Sequence, residues 1–130
     1  ILTIGNVAAG TGAVEITSWD YNSKSHDVVV AGGATTIGNG VTGGSNHFTA
    51  TARTGNLLVS PSGPISAGNI TLTATAGVID INTGSTLTGS GDITITTGGS
   101  YLGQFAAITS TGAGKNIVLQ TAGDVYAQAG

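Results

Sequence analysis

The chain has 130 residues, of which 7% are charged and 23 are glycine, and its net charge is −3. A typical soluble domain carries about 25% charged residues. Three cations, Lys24, Arg53 and Lys115, cannot build the basic surface that nucleic acid requires, and a chain without cysteine has no disulfide framework and no thiolate metal site.

No apolar run approaches the roughly 20 residues of a membrane-spanning helix, so the chain reads as not membrane-spanning. Recurrent Val, Ile and Leu also set it apart from a disordered chain. Methionine is absent and the start has no basic and apolar leader pattern, which reads as a fragment or processed product of a longer chain. Glycine costs about 1 kcal/mol in a helix interior. Its frequency here, with Thr and Val between, leaves period-2 alternation as the governing pattern.

In chain order, residues 1–7 read as a strand and turn. Val14, Glu15 and Ile16 are strand-like, as are Val28, Val29 and Val30, with Ile37 and Val41 as further inward candidates. Between them, residues 17–27 form the one polar-aromatic stretch, which reads as a loop insertion leaving the regular structure. It holds Trp19, Asp20, Tyr21, Lys24 and His26, a candidate binding surface because aromatics are enriched at binding hot spots. The alternative is a loop folded back over an end or side of the protein. Ser25, His26 and Asp27 are triad residue types, but neighbours on an extended chain point to opposite sides, so no triad is expected.

From Phe48 onward the chain repeats. Phe48, Ala50 and Ala52 return as Ile70, Leu72 and Ala74, then as Ile93 and Ile95, then as Ile117 and Leu119. Leu57 and Val59 return as Ile79 and Ile81, with Val125 and Ala127 two steps further. Ile65 returns as Leu87 and Ile108. These offsets of about 22–24 residues predict an all-β parallel β-helix, or β-solenoid, with three short strands per coil. The repeated apolar residues point inward, so Ile70, Leu72, Ile79, Ile81, Leu87, Ile93, Ile95, Ile117 and Leu119 are expected to be buried. Asn69, Asp92 and Asn116 each precede a strand, which predicts a stacked corner ladder. The stretch 98–105 is a smaller irregularity.

Outward of the first row stand Thr49, Thr51, Thr71, Thr73, Thr94 and Thr96, expected to be exposed. Such flat Thr arrays resemble those of ice-binding solenoids, although Thr also simply suits a solvated strand. Polysaccharide cleavage would need two facing carboxylates. Asp80 points outward with Leu58 one coil before it, and Asp92 and Asp124 lie near turns, so no enzyme, metal or cofactor is expected.

The run GNITLTATAGVIDINTGSTLTGSGDITITTGG, followed by GKNIVLQTAGDVYAQAG, resembles the repeat region of filamentous-haemagglutinin-like exoproteins of Gram-negative bacteria. The resemblance covers residues 48–130 well and 1–47 weakly, and similar runs occur in other autotransported passengers. It implies a right-handed β-helix, export to the cell surface or medium, and an adhesive or spacer role, with host or cell-surface glycans or proteins as possible partners. The NPNL-type motif of that family's secretion domain is not found, so the resemblance implies a shaft segment. It carries over no catalytic residue. The remaining partners expected are neighbouring coils of the same chain or copies stacked end to end.

Overall fold

A computed structural model describes residues 1–5, 11–104 and 106–128, and every regular element among them is a strand. The first coil runs β1 (Leu2–Gly5), β2 (Val14–Ile16) and β3 (Trp19–Asp20). The second runs β4 (Val28–Gly32), β5 (Thr35–Ile37) and β6 (Val41–Thr42). The third is β7 (Phe48–Ala52), β8 (Leu57–Val59) and β9 (Ile65–Ala67), and the fourth β10 (Ile70–Ala74), β11 (Ile79–Ile81) and β12 (Thr86–Gly89). The fifth is β13 (Ile93–Thr97), β14 (Tyr101–Gln104) and β15 (Ala107–Ser110), followed by β16 (Ile117–Thr121) and β17 (Val125–Gln128).

Three parallel sheets result. The first stacks β1, β4, β7, β10, β13 and β16, the second β2, β5, β8, β11, β14 and β17, and the third β3, β6, β9, β12 and β15. This is a β-solenoid of about five turns. Each inner strand pairs with the coil below and the coil above, about 4.8 Å away. The registers are those of the sequence repeat: Phe48 pairs with Ile70, Ile70 with Ile93, Ile93 with Ile117, Leu57 with Ile79, and Ile65 with Leu87. Tyr101 stands between Ile79 and Val125 in the second sheet, so the stretch after Gly98 keeps register there. Phe105 and residues 6–7 of the expected first turn lie outside the described residues.

The interior is a stack of single-residue layers. Val28, Phe48, Ile70 and Ile93 form one column, and Val30, Ala50, Leu72 and Ile95 the next, all fully buried. Burying a Leu or Ile stabilises by roughly 1.5–3 kcal/mol. Alanines at 50, 52 and 74 fill the narrow places. Buried hydroxyls are satisfied by carbonyls: Thr35 Oγ1 donates to the Thr51 carbonyl at 2.7 Å and Thr97 Oγ1 to the Gly77 carbonyl at 2.7 Å. An unpartnered buried hydroxyl would cost about 1–3 kcal/mol.

The corner between the first and second sheets brings backbones into contact. Gly55, Gly99 and Gly123 donate in turn to the carbonyls of Gly33, Gly77 and Gly99. A Cβ on Gly77 would lie 2.2 Å from the Gly55 carbonyl oxygen, so no side chain fits there.

Two expectations need correction. Ile117 and Leu119 sit in the expected register but are 47% and 36% exposed, because among the described residues β16 pairs with β13 alone. Thr71, Thr73, Thr94 and Thr96 point outward yet are half-buried, since each Thr is flanked by residues of the coils above and below.

Candidate functional site

The polar-aromatic stretch 17–27 was expected to leave the coil, but it supplies a strand to it. Trp19 and Asp20 form β3 and pair with Val41 and Thr42. Trp19 is half-buried against the core. Tyr21 turns fully inward, and its hydroxyl donates to the His47 carbonyl at 2.8 Å. Burial first, and then the neighbouring Asp27, push the Tyr21 phenol above its usual range. Its ring lies under Gly43, where a Cβ would come within 2.5 Å of the Tyr21 hydroxyl oxygen. The pairing of a large ring with a glycine one coil up is what lets a tyrosine enter so narrow an interior.

Only the turn beyond Tyr21 projects. Asp20 Oδ1 accepts the Asn22 N–H at 3.1 Å, an Asx turn. Lys24 N–H donates to the Tyr21 carbonyl, closing the turn. From the coil above, Asn46 Nδ2 donates to the carbonyls of Tyr21, Lys24 and Gly43, at 3.2, 2.8 and 3.0 Å. Half-buried His26 stacks on Tyr21 with ring centroids 6.3 Å apart. Asp20, Asn22 and Lys24 are therefore exposed on a pinned turn, whereas Trp19, Tyr21 and His26 are mostly used in packing.

Asp27 and His47 have a role that the sequence reading did not assign. Asp27 Oδ1 accepts the His47 N–H at 2.7 Å, and His47 Nδ1 accepts the Asn69 N–H at 2.9 Å. Asn69 Oδ1 accepts the Asp92 N–H and Asp92 Oδ1 the Asn116 N–H, each at 2.9 Å. The predicted corner ladder of Asn69, Asp92 and Asn116 thus runs two coils further down. The available signal was position: each of these five residues immediately precedes a strand of the first sheet. A second corner uses the same device, with Asn56 Oδ1 accepting the Val78 N–H at 2.9 Å.

The Thr array is assembled as the repeat implies. Thr49, Thr71 and Thr94 form one outward row and Thr51, Thr73 and Thr96 the next, in register over three coils. Val118 and Gln120 continue these rows in β16.

The carboxylates are dispersed. Asp27 and Asp92 serve the corner ladder, and Asp124 Oδ2 accepts the Tyr126 hydroxyl at 3.1 Å. Asp80 stands on the outward face of the second sheet between Leu58 and Leu102. Among the described residues, no three His, Asp or Glu side chains come together as a metal site.

At the last coil the interior opens into a cavity of about 390 Å³ lined by Ile95, Tyr101, Ile108, Ile117 and Leu119, among others. Comparison with protein-family models, curated proteins and solved structures found no match to this chain.

Proposed function

We propose that this chain is a shaft segment of a bacterial β-solenoid exoprotein, secreted or displayed at the cell surface, with a mechanical and adhesive rather than enzymatic role. The observation that carries this reading is the regular stacking of parallel coils in the register of the sequence repeat. Ile117 and Leu119 occupy inward positions of the repeat and line an open apolar cavity, and Val125, in register with Tyr101, is exposed. A further coil laid on β16 and β17 would pair their free edges and cover those side chains. At the other end, Leu2, Ile4 and Trp19 are half-buried against a single neighbouring coil. The filamentous-haemagglutinin-like resemblance of residues 48–130 supplies the cell-surface setting. Among the described residues no helix is long and apolar enough to cross a membrane.

Sedimentation of the 130-residue chain over a wide concentration range tests the stacking part. Association should grow with concentration and be suppressed by Ile117→Lys. A monomer independent of concentration would overturn it. Binding of the same protein to immobilised glycans and host-matrix proteins tests the adhesive part.

A second reading has its own observation. Six outward Thr residues in register over three coils form a flat hydroxyl array, suited to an ice face or a carbohydrate chain. Thermal hysteresis in solution, abolished by Thr71→Lys, would favour it.

A further inference from the structure

Asparagine is followed by glycine at one place in the chain, Asn39-Gly40. The side-chain amide of an asparagine is an electrophile within reach of the next residue's main-chain nitrogen, and a following glycine has no Cβ to obstruct the approach. The pair lies on the corner between β5 and β6 in the second coil, with a coil below and a coil above. Asn39 is exposed. The Gly40 carbonyl accepts the Trp19 N–H at 2.8 Å, but among the described residues no acceptor holds the Gly40 N–H.

Other asparagines are held at both partners of this reaction. Asn56 Oδ1 accepts the Val78 N–H, and the Leu57 N–H that follows it donates to the Val78 carbonyl at 2.9 Å. Asn69 Oδ1 accepts the Asp92 N–H, and the following Ile70 N–H donates to the Asp92 carbonyl at 3.0 Å. An amide nitrogen attacks only after losing its proton, and a proton engaged in a hydrogen bond is harder to remove. At Gly40 that restraint is missing.

The fold does not require a glycine at 40. A Cβ on Gly63 would lie 2.7 Å from the Ile37 carbonyl oxygen, and one on Gly68 2.4 Å from that of Ser45. A Cβ on Gly40 would meet nothing nearer than the Pro64 carbonyl oxygen at 3.4 Å, an ordinary contact, and the Gly40 backbone is not left-handed.

We propose that Asn39-Gly40 is a site of spontaneous covalent modification, at which the Gly40 nitrogen displaces ammonia from Asn39. The bond from the Gly40 nitrogen to Asn39 Cγ forms, and the Cγ–Nδ2 bond breaks. The proton lost by the Gly40 nitrogen is made up on the departing amine, which leaves as ammonia. Water then opens the resulting succinimide. Opening at Cγ gives aspartate. Opening at the main-chain carbonyl gives isoaspartate, in which the chain runs through Cβ and Cγ. Either product adds a carboxylate next to Gly38, where a Cβ would lie 3.1 Å from Glu15 Oε1, so like charges gather on this corner. Isoaspartate also lengthens the main chain by one carbon. That displaces the Gly40 carbonyl from the Trp19 N–H, and the Val41 N–H from the Pro64 carbonyl it reaches at 2.9 Å. The third sheet is thereby loosened at its second coil. The site depends neither on end-to-end stacking nor on the Thr rows.

Peptide mapping by mass spectrometry tests it, on the folded parent chain held in mildly alkaline buffer and sampled over time, beside Gly40→Ala and Asn39→Gln. Position 39 should convert first, ahead of Asn22 on its exposed turn, where Ser23 supplies the Cβ that Gly40 lacks. The product should be a mixture of aspartate and isoaspartate, the latter read by isoaspartyl methyltransferase labelling. Gly40→Ala should keep the parent's circular dichroism and convert more slowly by about tenfold or more, the change that about 1.4 kcal/mol of barrier gives. Asn39→Gln, whose closure needs a larger ring, should stay unmodified at that position with Gly40 still in place. In the aged parent the Trp19 amide should exchange with solvent faster than in the fresh chain. Position 39 intact when Asn22 has converted, equal rates in the parent and Gly40→Ala, or aspartate formed without isoaspartate would each overturn the proposal. Unchanged Trp19 exchange in an isoaspartate-rich sample would overturn the loosening of the third sheet.

Discussion

Ile95 and Leu119 are the same residue twice. Both face inward from the centre of a first-sheet strand, and they pair with each other directly. Ile95 is wholly buried and Leu119 is 36% exposed. The difference is that β13 lies between two strands and β16 against one. In a globular domain an apolar residue is buried by elements from all over the chain. In a solenoid its burial depends on the coils immediately below and above. The stabilising worth of a core position is therefore set by its neighbours and not by its own strand.

The largest expected effect is the contrast between these coils. Ile95→Ala should destabilise by about 2–5 kcal/mol, the range for emptying a packed core site. Ile117→Ala should cost about 1 kcal/mol, because much of that side chain is already in water. Urea titrations followed by circular dichroism, at concentrations low enough to keep the chain dispersed, measure both. Equal costs would mean that the last coil is covered in solution and would sharpen the case for end-to-end stacking.

Gly43→Ala comes next. Its Cβ would press on the buried Tyr21 ring, and overpacking of this kind costs about 1–3 kcal/mol. The cost should shrink when Gly43→Ala is made in a Tyr21→Ala background, a coupling that a double-mutant cycle reads directly. Additive costs would show that the ring moves aside.

These contrasts bear on what could be read from the chain. From Phe48 on, the rows were legible because inward residues are apolar at fixed offsets and corners are Gly, Asn or Asp. Tyr21 was not legible as a core residue, since its neighbours Asp20 and Asn22 are polar and its partner is a glycine 22 residues away. The exposure of Ile117 and Leu119 was not legible either, because alternation states which face a residue is on and not whether another coil covers it. The buried Thr35 and Thr97 escaped notice for a third reason: their hydroxyls are satisfied by carbonyls of another segment, which no local pattern reveals.

A smaller effect belongs to the corner ladder. His47→Ala removes the acceptor for the Asn69 N–H and should cost about 1 kcal/mol. His47→Asn places at that position the residue type that does the same work one coil up, and should recover most of the loss. Hydrogen exchange at the Asn69 amide is the specific readout: fast in His47→Ala, slow in His47→Asn. Fast exchange in both would show that the ladder depends on the imidazole itself.

The smallest expected effect concerns Asp80 in the dispersed monomer. Burial raises its folded pKa above the ordinary value of 3.8, so the charged form is disfavoured in the fold relative to the unfolded chain. Ionised Asp80 thus subtracts stability at neutral pH. That penalty fades as pH falls through the raised folded pKa and is gone below the unfolded value, where Asp80 is protonated in both states. Asp80→Asn should therefore be more stable than the parent near neutrality, with the advantage vanishing in acid. Asp92 gives the comparison, because its carboxylate accepts a backbone N–H and is used by the fold. Asp92→Ala should lose stability at neutral pH, where Asp80→Asn gains it. Melting temperatures of the three proteins across pH, in dilute solution, measure the opposing signs. An Asp80→Asn variant less stable than the parent at neutral pH would mean that the carboxylate has found a donor in solution, and that the apolar stripe around it is not closed.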